Sequence, residues 1–314
     1  MPPSTTKVRG RFCRITGIVA TLLAVPLVLS ACGSGSSGSS GTSTPAGAAA
    51  TKVAAIADLV PAPIRNSGTL KVAVPDGSAP LASVNDSGQP VGMDVDIANA
   101  MGGLMGLKVQ ITAGSFDSQI PGLQSGKFDI AMGEYYVTPA RLASVDFVSG
   151  WRDYSSFATR TDDTYTPKTP ADLCGRGIGV LKGSAEEASV QDFNTKSCVG
   201  RPMTISSFPD QAASFLALNS KRIDAVVTGR GPLEAAAAQN TSFKISGQMG
   251  GGPTAVAVAR TAGSADMLKA VQQAYDKLIA DGTYGTILKQ WKTDYGAVTE
   301  ATIYTKDSTP PTYS

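Results

Sequence analysis

Short apolar runs alternate with longer segments of helical apolar spacing from about residue 64 to residue 298. In the first half, the runs that predict strands are Thr69–Val74, Val109–Thr112 and Phe128–Met132. After residue 163 the rhythm repeats, with predicted strands Gly177–Leu181, Met203–Phe208 and Asp224–Gly229. The segments between them place apolar residues three and four apart, which predicts helices. Strands that alternate with helices at this spacing are typical of parallel βαβ units, so the pattern predicts two α/β domains in series.

The last part of the chain predicts one more strand, two helices and a tail. Thr254–Ala259 is an apolar run that follows a glycine-rich stretch, and helices are predicted over residues 265–280 and 283–291. The residues beyond Val298 are rich in threonine and include two consecutive prolines. We expect this end of the chain to be a loosely attached tail.

The N-terminus has the pattern of an export signal. Four basic residues precede an apolar run over residues 15–29, which is too short to remain as a membrane-spanning helix. The run ends in Leu29-Ser-Ala-Cys32, which resembles the lipobox of bacterial lipoproteins. This resemblance implies cleavage before Cys32 and lipidation of its thiol, and a plain secretory signal over residues 1–31 is the alternative. Residues 32–60 are rich in glycine, serine and alanine, and we expect them to form a flexible tether.

Composition narrows the classes of function. Removing 31 of the 314 residues leaves about 283, enough for two domains, and changes the net charge from +2 to about −2. A chain with this charge is not expected to bind nucleic acid. Histidine is absent from the sequence, which excludes nucleophiles activated by histidine and removes the commonest metal ligand. We therefore expect neither a cofactor nor a metal site.

The cysteines predict one disulfide. Cys13 belongs to the export signal and Cys32 is the expected lipid attachment site, which leaves Cys174 and Cys198. Two remaining cysteines in an exported chain are expected to form a structural disulfide.

A candidate anion site follows the predicted strand at Phe128. The strand ends at Gly133, and Thr138-Pro139 then has the pattern of an N-cap followed by a first helical residue. Arg141 therefore lies in a first helical turn, beside backbone N–H groups without intrahelical partners. This combination is typical of a carboxylate-binding site, and an exposed arginine on a capped helix is the alternative.

Six blocks of sequence together resemble the extracellular solute-binding proteins of polar amino-acid ABC importers, family 3 of that class. In order, the blocks are 92–96, 120–129, 137–141, 145–147, 223–227 and 281–291. The resemblance implies an α/β fold of the type II periplasmic-binding-protein kind. Lobe 1 would comprise residues 64–157 and 258–314, and lobe 2 residues 158–257. Two strands near Phe157–Thr161 and Thr254–Val258 would form a hinge.

The same resemblance implies the biological setting and part of the binding site. The protein would be a monomer outside the cytoplasm, anchored to the membrane through Cys32, and it would deliver a small polar solute to an ABC permease and ATPase. Arg141 matches the arginine that binds the α-carboxylate of the ligand, Gly183 and Ser184 match the helix start that contacts the same group, and Phe116 matches an aromatic that packs on the ligand side chain.

The chain departs from the family where the α-amino group of the ligand would bind. The aspartate usually found there is replaced by Gly229, which is followed by Arg230, while Glu134 and Tyr136 occupy positions where the family has small residues. Gly133 and Asp76 complete the predicted set of ligand contacts.

Three ligand classes follow from these departures. Glu134 could bind the amine of an amino acid, Arg230 could bind a second anionic group, or Glu134 could form a cage for a cation with Tyr135, Tyr136 and Trp151. We favour a zwitterionic amino acid or a close derivative. Two other classes of function stay open at this point. One is an enzyme similar to the cyclohexadienyl dehydratases, with Glu134 as general acid, and the other is a sensor lipoprotein without a transport role.

Overall fold

A computed structural model of the protein describes residues 51–313. Its strands are β1 (Thr69–Pro75), β2 (Ser83–Val84), β3 (Pro90–Val91), β4 (Lys108–Gly114), β5 (Ile130–Tyr136), β6 (Asp146–Arg160), β7 (Gly177–Leu181), β8 (Thr204–Phe208), β9 (Ala225–Gly229), β10 (Phe243–Val258) and β11 (Thr302–Tyr304). Its α-helices are α1 (Ala54–Ala57), α2 (Ala62–Ser67), α3 (Met93–Met105), α4 (Gln119–Gln124), α5 (Pro139–Leu142), α6 (Ala185–Ser197), α7 (Gln211–Asn219), α8 (Arg230–Gln239), α9 (Ser264–Ala280) and α10 (Thr283–Trp291). The export signal, Cys32 and the tether up to residue 50 lie outside the described residues.

Two parallel α/β units are joined through a pair of long antiparallel strands. The strand order is β4-β1-β5-β10-β6-β9-β7-β8, and β11 pairs with β6. β1 pairs in parallel with β4 and β5, and β7 pairs in parallel with β8 and β9. β10 runs antiparallel to β5 and β6, which places it between the two units. The predicted architecture of two α/β lobes is therefore confirmed, and residues 51–313 include no helix that is long and apolar enough to cross a membrane.

The chain crosses between the lobes earlier in each long strand than the sequence suggests. β5 of lobe 1 pairs with residues 254–258 of β10, and β9 of lobe 2 pairs with residues 155–158 of β6. The crossing therefore lies near residues 150–154 and, opposite them, residues 250–254. Residues 254–257 belong to lobe 1, although the predicted boundary assigns them to lobe 2. Since β6 and β10 run unbroken through both lobes, their apolar pattern does not mark where one lobe ends.

Residues 53–60 are part of lobe 1 and not of the predicted tether. The backbone N–H of Val53 donates to the carbonyl of Leu104 at 2.9 Å, and the side chains of Ile56 and Val60 are buried in the core of the lobe. Ile56 belongs to the short helix α1, and Val60 lies just beyond the end of that helix. The expected flexible segment is therefore shorter than predicted at its C-terminal end.

The C-terminal segment also packs on lobe 1, so the expected loose tail is wrong. β11 pairs with Phe147–Ser149 of β6, and Ala301 is buried. The backbone N–H of Ala301 donates to Oδ1 of Asp276 at 2.9 Å, and Nε2 of Gln272 donates to the carbonyl of Ala301 at 2.9 Å. Backbone pairing holds this segment in place despite its polar composition.

Lobe 2 contains the predicted disulfide, between Cys174 and Cys198. It ties the turn before β7 to the C-terminal end of α6, whose N-terminus faces lobe 1. The helix α8 begins at Arg230, directly after the end of β9 at Gly229. Pro232 is compatible with a helix at this place because the first helical turn needs no intrahelical N–H bonds.

Candidate functional site

A cavity of about 590 Å³ lies between the two lobes at the carboxyl end of β5. Its lining comes from the end of β5 and the beginning of α5, from the N-terminal part of α6, and from the crossing strands β6 and β10, with Tyr313 of the C-terminal segment at one side. The residues are Tyr136, Thr138, Pro139, Ala140, Arg141, Ser155, Gly183, Ser184, Ala185, Ala188, Ser189, Met249, Gly250, Gly251 and Tyr313. The volume is in the range of small-molecule sites.

Arg141 is held in this cavity by a short capped helix. Thr138 is the N-cap of α5, and its Oγ1 accepts a hydrogen bond from the backbone N–H of Arg141 at 3.3 Å. The guanidinium donates from Nη1 to the carbonyl of Tyr136 at 2.8 Å and from Nη2 to the carbonyl of Gly183 at 3.1 Å. A guanidinium carries five N–H donors, so three more can bind a carboxylate. The predicted cap and the predicted place of Arg141 in the first turn are both present.

The opposite wall is the N-terminus of α6. Ser184 caps this helix, since its Oγ accepts from the backbone N–H of Glu187 at 3.0 Å. Oε2 of Glu187 accepts from the backbone N–H of Gly183 at 2.7 Å, one residue before the N-cap. This is a shifted form of a capping box. It places the positive end of the helix dipole across the cavity from Arg141, and both features favour an anion between them.

Lobe 1 and lobe 2 also touch through an ion pair beside the cavity. Nζ of Lys182 lies 2.8 Å from Oδ2 of Asp117, which follows Phe116 in lobe 1. The side chain of Lys182 is 62% exposed, so we assign little stability to this pair. Its position next to the Arg141–Gly183 contact shows that the lobes meet along one edge of the cleft.

Two carboxylates converge on Gly229, at the position where the family resemblance implies an aspartate. A Cβ atom added at Gly229 would overlap both carboxylate oxygens of Glu134 and would lie 2.6 Å from Oδ2 of Asp153. Asp153 is fully buried, and its Oδ1 accepts from the hydroxyl of Tyr295 at 2.8 Å. The carboxylate missing from lobe 2 is therefore supplied by β5 of lobe 1 and by the crossing strand β6.

These carboxylates are hard to ionise. Burial raises the pKa of Glu134 well above its usual range, and the negative charge of Asp153 raises it further. Burial also raises the pKa of Asp153 and of Glu186, whose Oε1 accepts from Oγ of Ser155 at 2.8 Å. A cation bound next to these groups would favour their charged forms and would be held by them.

Two buried polar atoms of this region make no hydrogen bond within residues 51–313: Oε1 of Glu134 and the hydroxyl of Tyr136. Buried polar atoms without partners are costly, and they point to a ligand. In the same part of the chain, no three acidic or cysteine side chains are arranged to hold a metal ion.

Asp94 lies behind Glu134, across a small cavity of about 10 Å³ in lobe 1. Burial raises the pKa of Asp94 to about 7. Its neighbour Asp96 instead accepts from Nε1 of Trp291 at 2.7 Å, so it ties α3 to α10. Neither residue lines the 590 Å³ cavity.

Two other predicted ligand contacts have different partners. Phe116 is buried and stacks on Tyr135 with 4.7 Å between ring centroids, and the guanidinium carbon of Arg141 lies 5.5 Å from its ring. Phe116 therefore packs against the guanidinium of Arg141. Asp76 is exposed, and its Oδ1 accepts from the backbone N–H groups of Gly77 and Val84. Asp76 thus orders a turn in lobe 1.

The positions of Arg230 and Trp151 make two of the ligand classes above less suitable. Nε of Arg230 donates to Oε1 of Glu234 at 2.6 Å, and its guanidinium carbon lies 4.7 Å from the ring of Tyr295. Trp151 is 4% exposed, and its Nε1 donates to the carbonyl of Thr293. Tyr135 is also a core residue, with its hydroxyl 2.7 Å from Oε1 of Gln119. An aromatic cage built from Trp151 and Tyr135 is therefore wrong.

The sequence argument missed Asp153, Glu186 and Tyr313. β6 contains several charged and polar residues besides Asp153, so the sequence of the strand carries no local signal that identifies Asp153 as the fully buried one. Glu186 looks like an ordinary first-turn acid of α6, and Tyr313 stands in a polar segment far from the other site residues in sequence. Their roles depend on the tertiary fold.

Comparison with known proteins identifies the family. The sequence matches the bacterial extracellular solute-binding proteins, family 3, over residues 70–294. This match spans more than half of the chain, and the protein belongs to that family. The chain is 27% identical over 216 residues to ABC transporter arginine-binding protein 1 of Escherichia coli (strain K12), which covers 68% of this chain and 86% of the relative.

Solved structures agree with this assignment. An ancestral arginine-binding protein bound to arginine is 30% identical, with a TM-score of 0.66 over 71% of this chain and 98% of that one. An ancestral amino acid-binding protein, AncCDT-1, described as a precursor of cyclohexadienyl dehydratase, is 28% identical, with a TM-score of 0.66 over 73% of this chain and 97% of that one. The predicted type II periplasmic-binding-protein fold and the solute-binding role are thus confirmed.

Proposed function

We propose that the protein is a substrate-binding lipoprotein of an ABC importer that captures an amino acid, or a close derivative, between its lobes. It would be held outside the cytoplasm by a lipid on Cys32 and would act as a monomer, delivering its ligand to a permease and ATPase in the membrane. Closure of the lobes about the residues 150–154 and 250–254 would enclose the ligand. The absence of a nucleophile–base pair with histidine favours binding over catalysis.

The observation that carries this proposal is the pairing of opposite charges around one cleft. Arg141 and the N-terminus of α6 present donors to a carboxylate, while Glu134 and Asp153 present acceptors next to Gly229. An α-amino acid carries one anionic and one cationic group on a single carbon, and this arrangement suits both. In this proposal Glu134 and Asp153 bind the ammonium that an aspartate binds in related proteins.

A basic amino acid is the first ligand to test. Arg141 lines the 590 Å³ cavity, whereas the carboxyl groups of Glu134, Asp153 and Glu186 lie behind its wall, and a ligand that brings a second positive charge towards them would favour their charged forms. Two of the similar proteins are named as arginine-binding, which supports the same choice for this chain.

Calorimetric titration of the purified protein with arginine, glutamine, histidine and glutamate tests the proposal. We expect arginine to bind most tightly and glutamate to bind weakly or undetectably. Arg141→Ala removes the charge-assisted bonds to the ligand carboxylate, and we expect a loss of affinity of about 100-fold, or about 3 kcal/mol. Thermal unfolding of this variant should stay close to that of the wild type because Arg141 faces the cavity.

Arg222→Ala is the matched control. Arg222 is exposed on lobe 2, and its Nε donates only to the nearby Oγ of Ser220. This substitution should leave arginine affinity unchanged. If Arg141→Ala bound arginine as the wild type does, the carboxylate-binding role of Arg141 would be wrong.

A second candidate is an enzyme that eliminates water and carbon dioxide from a cyclohexadienyl substrate. Two observations favour it: the likeness to AncCDT-1, which is described as a precursor of cyclohexadienyl dehydratase, and the raised pKa of the buried Glu134, since a protonated carboxyl group can act as a general acid. Incubation with prephenate or arogenate, followed by detection of the aromatic product, distinguishes the two candidates. Turnover that disappears in Glu134→Gln would establish catalysis, whereas a binding protein gives no product.

A further inference from the structure

The family match ends at residue 294, but the chain continues for twenty more residues and returns to the cleft. After β11 the backbone turns, with the N–H of Ser308 donating to the carbonyl of Thr305 at 3.0 Å and the N–H of Thr305 donating to Oγ of Ser308 at 2.9 Å. Pro310 and Pro311 follow, and both restrict the backbone. A stiff segment of this kind loses little entropy when its end is fixed.

The end of this segment places Tyr313 in the wall of the 590 Å³ cavity. Its hydroxyl accepts a hydrogen bond from the backbone N–H of Val137 and lies 3.2 Å from the carbonyl oxygens of Val137 and Pro253, one of which can accept its proton. Its ring meets the ring of Tyr136 edge to face, with 4.7 Å between centroids. Tyr313 thus joins the end of β5 to the crossing strand β10.

The crossing strand has no side chain at the point where this ring lies. A Cβ atom at Gly252 would be 2.6 Å from Cδ1 of Tyr313, so even alanine would displace the ring or the strand. Burial raises the pKa of Tyr313, and its hydroxyl therefore remains a donor at neutral pH. The contacts with Tyr136 and Gly252, together with the hydrogen bonds of the hydroxyl, hold the Tyr313 ring in one position.

The residues next to Tyr313 are those that hold Arg141. The carbonyl of Tyr136 accepts from Nη1 of Arg141, and the neighbouring Val137 is bonded to Tyr313. A change at Tyr313 is therefore expected to reach the carboxylate-binding end of the cavity. On the opposite side the cavity is bounded by α6 of lobe 2, so the ring also limits the space available to a ligand.

We propose that Tyr313 is a specificity-determining residue of the solute site, supplied by a C-terminal segment outside the family match. Its ring closes the side of the cavity next to Tyr136 and Gly252 and restricts the site to single amino acids. The proposal rests on the proposed function, because it assigns the size limit of the same ligand site. It names a contact that the matched region of the sequence does not contain.

Four variants of the purified protein test this: Tyr313→Ala, Tyr313→Phe, Gly252→Ala and, as a control, Thr309→Ala at an exposed position of the same segment. Amide hydrogen exchange of Val137 reports docking of the ring without any ligand. We expect exchange at Val137 to be faster in Tyr313→Ala, Tyr313→Phe and Gly252→Ala, and unchanged in Thr309→Ala. Equal exchange in all of them would overturn the proposal.

Titration with arginine and with the dipeptide arginyl-arginine reports specificity. In Tyr313→Ala we expect the Kd of arginine to rise about tenfold, which is about 1.4 kcal/mol. The preference for arginine, which is the Kd of the dipeptide divided by the Kd of arginine, should fall at least tenfold. Tyr313→Phe keeps the ring and should retain the preference.

The remaining outcomes separate the two proposals. If the wild type binds arginine and Tyr313→Ala has the same Kd values for both probes, the inference about Tyr313 fails while the proposed function stands. Tighter arginine binding in Tyr313→Ala would also overturn it, because the ring would then compete with the ligand. If the wild type binds neither these probes nor other amino acids, the proposed function fails and this inference fails with it.

Discussion

Moving the carboxylate from position 134 to position 229 would test how the cleft binds an amine. The two single changes are Glu134→Gly and Gly229→Asp, and the double variant combines them. A side chain at position 229 would start where the Glu134 carboxylate lies, so the two carboxylates exclude each other in space. The double variant should therefore return a carboxylate to this place from the other lobe, provided that Oδ2 of Asp153, 2.6 Å from the added Cβ atom, moves aside.

The expected magnitudes follow from the contacts. Glu134→Gly removes the buried carboxyl group that we propose binds the ligand ammonium, and we expect a loss of about 3 kcal/mol in binding, or roughly 100-fold. The backbone should tolerate glycine well, because Glu134 has a φ of 62°, a conformation that an ordinary side chain disfavours by about 1 kcal/mol. Gly229→Asp alone forces overlap and adds a third carboxylate beside Asp153, so it should weaken both folding and binding.

Arginine affinity by calorimetry and the free energy of unfolding by denaturant titration, measured for all four proteins, give a double-mutant cycle. We expect the double variant to bind within about tenfold of the wild type and the coupling energy to exceed about 2 kcal/mol. Lys221→Gly is the control for backbone strain, since Lys221 has a φ of 59° at an exposed site on lobe 2. It should not change binding.

Two results would refute this reasoning. Unchanged arginine affinity in Glu134→Gly would mean that the Glu134 carboxylate does not bind the amine. Additive effects of the two changes would mean that the carboxylates at positions 134 and 229 do not serve the same group.

Two further predictions concern stability. The folded pKa of Asp94, about 7, is above its unfolded value of about 3.8, so its stabilising protonated form is complete below pH 4 and is lost as pH rises through 7. Asp94→Asn should therefore flatten the fall in unfolding free energy between pH 4 and pH 7 and add up to about 4 kcal/mol above pH 7, as measured by urea titration. An unchanged pH profile would contradict the burial of an ionisable Asp94. Replacing Cys174 and Cys198 by serine opens a loop of about 25 residues and should cost about 3 kcal/mol of stability. Reductant should lower the melting temperature of the wild type and leave that of the serine variant unchanged. The prediction fails if reductant does not lower the melting temperature of the wild type.

The sequence by itself determined the local features of this protein. The spacing of apolar residues identifies the parallel strands of both lobes and the helix Ser264–Ala280. It does so because the side chains that point towards the core recur at the period of each element. The Thr138-Pro139 pair determines the cap that positions Arg141, and the two available cysteines determine the disulfide. Such features depend on residues that are close in the chain or on simple counting.

Only the tertiary structure decided which distant residues share the cleft. Glu134, Asp153 and Gly229 come from three different strands, and their convergence depends on how β5, β6 and β9 are placed around the crossing. Tyr313 lies in a polar segment without periodicity, and it reaches the cavity because backbone pairing of β11 fixes where that segment starts. Contacts between elements have no local signature in the sequence, since they depend on packing and on the direction of each strand. These contacts decide the arrangement of the candidate site, and the pattern along the chain decides the fold class.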